Sequence, residues 1–306
     1  MKIIRSYKPS KLKQRGVPIF LVDFSWLLCN SYYAYRSNPK YTIKDRYVGD
    51  IIGFVERITY LMSSYPDSVF VFCMDGSNLV RSEIYPEYKD GRKRPDDLWG
   101  NYKEIMEIVA GLDKTLFAYD NQWEADDVMY TLIQEYKHFL APLYLYTSDQ
   151  DVDPYLTDNT QTGIVKFTKI KNGSIVPITR TDRAGKYNYD LQYTTKIKIL
   201  CGDSHNNVKG FPYFRKKKAQ EIVKCVEAAN MSLLQVMNGM FPTNMPANLI
   251  KICESQIRKH GRENCKEMIE LNQQVIPPHK IPGLNLIQLQ GSFDPFNELL
   301  SMLNIR

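Results

Sequence analysis

Val17-Pro-Ile-Phe-Leu-Val-Asp23 and Ser68-Val-Phe-Val-Phe-Cys-Met-Asp75-Gly76 are two apolar runs that both end on an aspartate. Runs of this kind, rich in Val, Ile and Phe, predict strands buried on both faces. Between them Val48, Ile51, Ile52, Val55, Ile58, Leu61 and Met62 recur at helical spacing. The order is therefore strand, helix, strand, which makes the two strands parallel. A third strand is expected at Thr115 to Tyr119, then a helix from Ala125 to about Tyr136. A fourth strand, Leu143 to Thr147, runs into Ser148-Asp149-Gln150-Asp151. The alternation predicts an α/β fold with a mostly parallel, open central sheet flanked by helices. In such sheets ligands bind beyond the carboxyl ends of the strands, where Asp23, Asp75 and Asp149 all fall.

Arg81 to Gly111 interrupts this pattern with a polar, tyrosine-rich stretch holding Tyr85, Tyr88, Lys89, Arg92, Lys93 and Arg94, followed by a helix marked by Ile105, Met106, Ile108 and Val109. Gly163 to Arg180 reads as a hairpin about Asn172-Gly173, a dipeptide favoured in tight turns. From Asp190 onward the pattern is helical, broken at Gly202-Asp203, Gly210-Phe-Pro, Phe241-Pro and Pro277-Pro278. These breaks place a boundary near Tyr187, dividing the chain into residues 1–186 and 187–306.

With 306 residues and 43% apolar content the chain can bury one substantial core and a smaller one. No stretch reaches the roughly 18 apolar residues of a membrane span, and the N-terminus lacks the pattern of a secretory signal. A cytoplasmic location is expected, the host cytoplasm if the source is viral. Cys29, Cys73, Cys201, Cys225, Cys253 and Cys265 are scattered, with no Cys-x-x-Cys pair, which argues against a zinc site or a disulfide framework. Net charge is +6, but its distribution matters more. Basic residues collect at Lys8 to Arg15, Lys89 to Arg94 and Arg215 to Lys218, and acids collect between those blocks. Such separation suits a polyanion held near metal ions, although solvated basic faces are common.

The acids have ordinary explanations one by one. Glu124-Ala-Asp126-Asp127 stands where acids favour a helix N-terminus, Asp149-Gln-Asp151 suits a turn, and Gly202-Asp203 does too. Together they answer a chemical demand. Hydrolysis of a phosphodiester needs a nucleophile at neutral pH and neutralisation of growing charge, which two hard cations supply. Mg²⁺ takes oxygen ligands and keeps several waters. Carboxylates packed together without metal would repel.

The order of these motifs resembles the 5′ nuclease family: flap endonucleases, the 5′-exonuclease domains of bacterial DNA polymerases and, above all, the bacteriophage ribonuclease H and 5′-3′ exonuclease type. The matching elements are Leu21-Val-Asp23, Cys73-Met-Asp75-Gly76, Arg81, Glu87-Tyr-Lys89-Asp-Gly-Arg92, Pro95-Asp-Asp-Leu98, Glu124-Ala-Asp-Asp127, Thr147-Ser-Asp149-Gln-Asp151 and Gly202-Asp203-Ser-His-Asn206-Asn207-Val-Lys209-Gly210. They span roughly Ile19 to Ala219.

The resemblance implies a 5′ nuclease, PIN-like core over 1–186, with a helical gateway at about 81–111. A helical DNA-binding part over 187–306 would contain a helix-three-turn-helix-like element at about 203–226. It implies two Mg²⁺, with Mn²⁺ as a substitute. Asp23, Asp75, Glu124 and Asp126 would serve the first ion, Asp149, Asp151 and Asp203 the second, with Asp126 or Asp127 between them. Lys89 and Arg92, helped by Arg81, would stabilise charge on the scissile phosphate. Asn207, Lys209, Gly210, Arg215, Lys216, Lys217 and Lys218 would grip duplex DNA. The implied partners are DNA with a 5′ flap, nick or 5′ end, an RNA–DNA hybrid, and replication proteins such as a single-strand-binding protein or clamp, with no membrane. The sequence departs from the family at Asn206, where a second Asp is usual, and at Tyr213 and Phe214, where glycines are. The first departure motivates an alternative, a catalytically weak structure-specific DNA-binding protein. A carboxylate-based ribonuclease of the toxin type is disfavoured by length. Ser292 to Arg306 reads as a packing helix in preference to a partner-binding peptide.

Overall fold

A computed structural model of the chain describes residues 1–304 except Gln14, Arg15, Ser37, Asn78, Lys93, Arg94, Asp96, Lys169, Asn172, Gly173, Asn188 and Tyr213. The calls on Arg15, Lys93, Arg94, Asp96, Asn172-Gly173 and Tyr213 lie outside the described residues. The chain divides into two units. The first comprises 1–78, 93–179 and 279–306, the second 79–92 and 180–278.

The first unit is built on a seven-stranded sheet: β1 (Ile3–Tyr7), β2 (Ile19–Asp23), β3 (Val69–Cys73), β4 (Thr115–Ala118), β5 (Leu143–Tyr146), β6 (Ile164–Phe167) and β7 (Leu286–Leu289), in the order β1-β7-β4-β3-β2-β5-β6. The five strands from β4 to β6 are parallel, while β7 runs antiparallel to β4 and β1 antiparallel to β7. Every residue of β2 and β3 is buried, as the apolar runs require of strands covered on both faces. Side chains alternate along β2. Phe20 and Val22 enter one core with α1 (Phe24–Tyr35) and α2 (Gly49–Ser64), and Ile19 and Leu21 enter the other.

The second unit begins with the short helix α3 (Val80–Ile84). Back in the first unit, α4 (Tyr102–Ala110) joins the first core, and α5 (Ala125–Tyr136) joins the second with Val128, Leu132 and Ile133. The remainder of the second unit is mainly helical, with Gly202–Asp203 paired antiparallel to Val208–Lys209: α6 (Thr194–Cys201), α7 (Lys216–Ala228), α8 (Leu233–Met237), α9 (Ala247–His260) and α10 (Arg262–Val275). Their apolar faces, including Leu200, Ile222, Val226, Val236 and Ile269, form its core. The chain ends in the first unit with α11 (Asp294–Met302), which buries Phe296 and Leu299 against α4.

Three expectations change. The division falls at 179/180 and again at 278/279, not at 186/187, because Leu286–Leu289 returns as a strand between β1 and β4. The stretch 81–111 is split: Leu79–Arg92 belongs to the second unit and α4 to the first. Within 163–180 a small hairpin pairs Ile170–Lys171 with Ser174–Ile175, but Ile164–Phe167 before it is a further parallel strand of the main sheet. Among the described residues no helix is long and apolar enough to cross a membrane, and the six cysteines are free thiols.

Candidate active site

From β2 the chain passes to β3 and β4 on one side, whereas β5 and β6 lie on the other. The order therefore reverses between β2 and β5, and beyond their carboxyl ends is where open sheets of this kind bind ligands. Asp23 closes β2 and caps α1, its Oδ1 accepting from the Trp26 amide at 3.0 Å. Its Oδ2 accepts from the Thr147 hydroxyl at 2.9 Å, across the reversal. Asp23 is 7% exposed. Burial, then the charge of Asp75, then that of Asp149 raise its carboxyl to about 7, against the lowering pull of its Trp26 and Thr147 hydrogen bonds.

Asp75 follows β3 and accepts from the Ala125 amide at 2.9 Å, which sets it at the N-terminus of α5. The turn beyond it is tight. A Cβ at Gly76 would lie 2.4 Å from the Asn121 carbonyl oxygen, so only glycine fits. Glu124 is the N-cap of α5 and forms a reciprocal capping box with Asp127. Asp126 stands half-buried on the first turn, close enough to act electrostatically on Cys73 along with Asp23 and Asp75. After β5, the Asp149 amide donates to the Thr147 hydroxyl at 3.1 Å, and Asp149 Oδ1 accepts from the Asp151 amide at 2.7 Å.

Asp127, expected among the ligands, has structural partners of its own. It is completely buried, Oδ2 accepting from the Glu124 amide at 3.1 Å and Oδ1 from the His279 amide at 2.7 Å. Its carboxylate caps α5 and anchors the returning C-terminal segment. Asp75 and Asp149 are near enough to Asp23 to repel it. Yet among the described residues no group of three or more His, Cys, Asp or Glu side chains is disposed to hold an ion directly. Carboxylate oxygens are the donors that a hard cation such as Mg²⁺ takes, partly through its own water.

Asp203 lies in the second unit, at the start of the turn between α6 and α7. Its Oδ1 accepts from the His205 amide at 3.1 Å, and its Oδ2 from Lys198 Nζ at 2.9 Å and Asn206 Nδ2 at 3.2 Å. Burial pushes the carboxyl up, but the charge and hydrogen bond of Lys198 with the His205 amide outweigh it and hold it below its ordinary value. Asn206 also accepts from Arg92 Nη2 at 2.8 Å. An amide can donate to Asp203 and accept from Arg92 at once, whereas an aspartate here would face Asp203 as a like charge.

The same turn holds the 85–92 segment. The Lys89 amide donates to the Asn206 carbonyl at 2.9 Å, Arg92 donates to the His205 carbonyl, and Asn207 Nδ2 donates to the Glu87 carbonyl. Lys209 pairs with Glu87 at 2.9 Å. Lys89, at φ 58°, lies in the left-handed region, rare for a side chain of its kind. Gly210 is required by packing, since a Cβ there would lie 2.0 Å from the Cys201 carbonyl carbon. Arg81, expected to act on the phosphate, is instead 4% exposed and donates to the carbonyls of Val275 and Pro277 at 2.9 Å. It caps the C-terminal end of α10, whose carbonyls otherwise lack partners.

Arg215 is the N-cap of α7. With Lys216, Lys217, Lys186, Tyr187 and Tyr189 it lines an open basic cleft of about 670 Å³. Lys218 pairs with Glu221 at 2.9 Å, and Phe214 is buried against Phe211. Sequence reading missed Lys198, although its place near the end of the helix that runs into Asp203 was a usable signal, and missed Asp153 and Lys166.

The model of the 5′-3′ exonuclease N-terminal resolvase-like domain matches residues 18–183. The 5′-3′ exonuclease of Mycoplasmopsis pulmonis is 23% identical over 271 residues, 87% of this chain and 84% of that protein. DNA polymerase I of Caldicellulosiruptor bescii is 28% identical over 198 residues, 63% of this chain but 23% of the polymerase, so the chain spans about a quarter of that relative. In fold it is similar to a variant of the T5 5′-exonuclease, with a TM-score of 0.56 at 16% identity, covering 94% of this chain and 99% of that one. The bacteriophage T5 D15 flap endonuclease, in a pseudo-enzyme-product complex with DNA and metal ions, gives 0.55 at 18% identity, covering the same 94% and 99%.

Proposed function

The chain belongs to the 5′-3′ exonuclease family and is a nuclease, and we propose that it is a divalent-metal-dependent 5′ nuclease that hydrolyses phosphodiesters near 5′ ends and branch junctions in DNA, releasing 5′-phosphates. The observation that carries this reading is the crowding of Asp23, Asp75 and Asp149 beyond the sheet, where burial and then the charges of Asp75 and Asp149 raise the Asp23 carboxyl to about 7. A purely DNA-binding surface gains nothing from such crowding beside phosphate.

Asp23, Asp75, Glu124 and Asp126 would hold one cation, and Asp149 and Asp151 a second, with Asp203 as its further ligand. Two Mg²⁺, or Mn²⁺ in their place, supply when bound a hydroxide at neutral pH and an offset for charge on the phosphate. The chain's own work is to hold the acids in place. Thr147 fixes Asp23 against the end of β5, and the α5 N-terminus orients Asp75 through an amide. The roles in the second unit rest on motif order. Lys89 and Arg92 stabilise the developing charge, and the α6–α7 element, with Asn207, Lys209, Gly210 and Arg215 to Lys218, grips duplex phosphates in helix-three-turn-helix fashion. The substrates are 5′-flap, nicked or 5′-ended DNA, with an RNA–DNA hybrid as an extension of the same chemistry.

Labelled 5′-flap, nicked duplex, blunt duplex and RNA–DNA hybrid, incubated with Mg²⁺ or with chelator, test this reading. Cleavage of the flap in Mg²⁺ alone is expected, and cleavage in chelator would overturn the mechanism. Binding without cleavage in either Mg²⁺ or Mn²⁺ would favour the catalytically weak DNA-binding protein.

A further inference from the structure

Lys166 stands in the middle of β6, opposite Leu145 of β5, and its side chain is completely buried. A lysine in that position is costly unless it is paired. Its ammonium lies 2.7 Å from Asp153 Oδ1, and Asp153 is buried as well. The same ammonium donates to the Asp149 carbonyl oxygen. The Asp153 amide donates to the Gln150 carbonyl at 3.1 Å, and the Asp151 amide to Asp149 Oδ1 at 2.7 Å. The turn bearing Asp149 and Asp151 is thus held at its first residue and just past its last by one buried cation. Lys166 is itself fixed by backbone bonds to Ile178 in both directions, at 3.1 and 2.7 Å.

Two well-packed apolar side chains would stabilise this position at least as well as a buried ion pair. What the pair adds is a hydrogen bond from the Lys166 side chain to the Asp149 backbone carbonyl. We propose that Lys166 and Asp153 are positioning residues that hold the Asp149-Gln150-Asp151 turn in its metal-ligating conformation before any cation arrives. They act on the metal through the residues that bind it, as outer partners of metal ligands do. The inference rests on the reading of Asp149 and Asp151 as ligands.

The test is calorimetric titration of the DNA-free protein with Mn²⁺, beside the Mg²⁺ dependence of flap cleavage, in Lys166→Met, Lys166→Arg and the double variant Lys166→Met with Asp153→Leu. The double variant removes both members of the buried pair, and cooperative melting checks that it folds. Lys166→Met and the double variant are expected to weaken Mn²⁺ binding and raise the half-saturating Mg²⁺ by about 10- to 100-fold. Cleavage at saturating Mg²⁺ should stay near that of the parent, and Lys166→Arg should recover part of the loss. A double variant that melts cooperatively and binds Mn²⁺ like the parent would overturn the proposal. Asp149→Asn and Asp151→Asn separate the two ideas. Parental Mn²⁺ affinity in both removes the ligand reading itself, whereas loss there with no loss in the Lys166 variants removes only the positioning role.

Discussion

Asp23 and Asp203 are both nearly completely buried, at 7% and 6% exposure, and both accept a backbone amide at the start of a helical turn. Their carboxyls nevertheless move in opposite directions. Burial and the neighbouring Asp75 and Asp149 raise Asp23. At Asp203 burial also pushes up, but Lys198 and the His205 amide win. Lys198 thus compensates Asp203 within the second unit, while in the first Asp23 meets like charges. Like charge from Asp75 and Asp149 acts on Asp23 at the end of the parallel sheet, whereas the Asp203 turn is ordered by lysine, arginine and amide groups from its own unit.

The largest expected effect comes from removing one of the like charges that act on Asp23. Asp149→Asn should lower Mg²⁺-dependent flap cleavage by about 10³-fold, the scale of several kcal/mol of transition-state stabilisation, while flap binding in chelator is kept or tightened. Cleavage at the parent's rate would break the contrast. Asp127→Ala comes next. Loss of a cap and of the His279 amide's acceptor should cost about 2–4 kcal/mol in denaturant unfolding, with Mn²⁺ affinity unchanged. Collapse of Mn²⁺ affinity at parental stability would make Asp127 a ligand after all.

A smaller loss, about 1–3 kcal/mol, is expected for Lys198→Met. Because the Asp203 carboxyl lies below its ordinary value in the folded state, its contribution is present above the unfolded value near pH ~4 and fades as pH falls through the folded one. The gap between parent and variant should therefore be widest at neutral pH and close in acid. A gap that does not depend on pH would mean that Lys198 acts by packing alone. The smallest effect belongs to exposed side chains. Replacing Arg215 and Lys217 together by serine should lower the slope of log affinity against log salt by about 2. An unchanged slope would remove the basic cleft from the DNA contact.

Much of the sheet was legible because its signal is local. Val17 to Phe24, Ser68 to Met74 and Leu143 to Thr147 are apolar runs long enough to identify themselves, and each aspartate was readable from its place at the end of a run. β6 was not, because Lys166 interrupts its apolar pattern and the Asn172-Gly173 signal beside it drew the segment into a hairpin. β7 is four residues long with Gln288 inside it, and only pairing with β1 and β4 makes it a strand. The acids could be grouped but not sorted. Asp127 looks like Asp126 in sequence, and what separates them is an amide 152 positions away. Arg81 likewise reads as a phosphate ligand until its acceptors, Val275 and Pro277, fold back on it from nearly 200 residues downstream. Spacing along the chain cannot report partners of that kind.

The place of β7 between β1 and β4 has a consequence for how the molecule comes into being. As the chain leaves the ribosome, β2 to β6 can assemble in order through local crossovers, but the outer edge of β4 stays bare and β1 waits without a partner until residue 286 emerges. The 99 residues of the second unit's longer segment, Arg180–Pro278, are all made in that interval. Closing the sheet is then a late, long-range event of the kind that slows folding, and the unpaired β4 edge is the surface on which nascent chains would pair wrongly with one another. Synthesis, and not only sequence, thus has a hand in when the molecule's barrier to aggregation is complete.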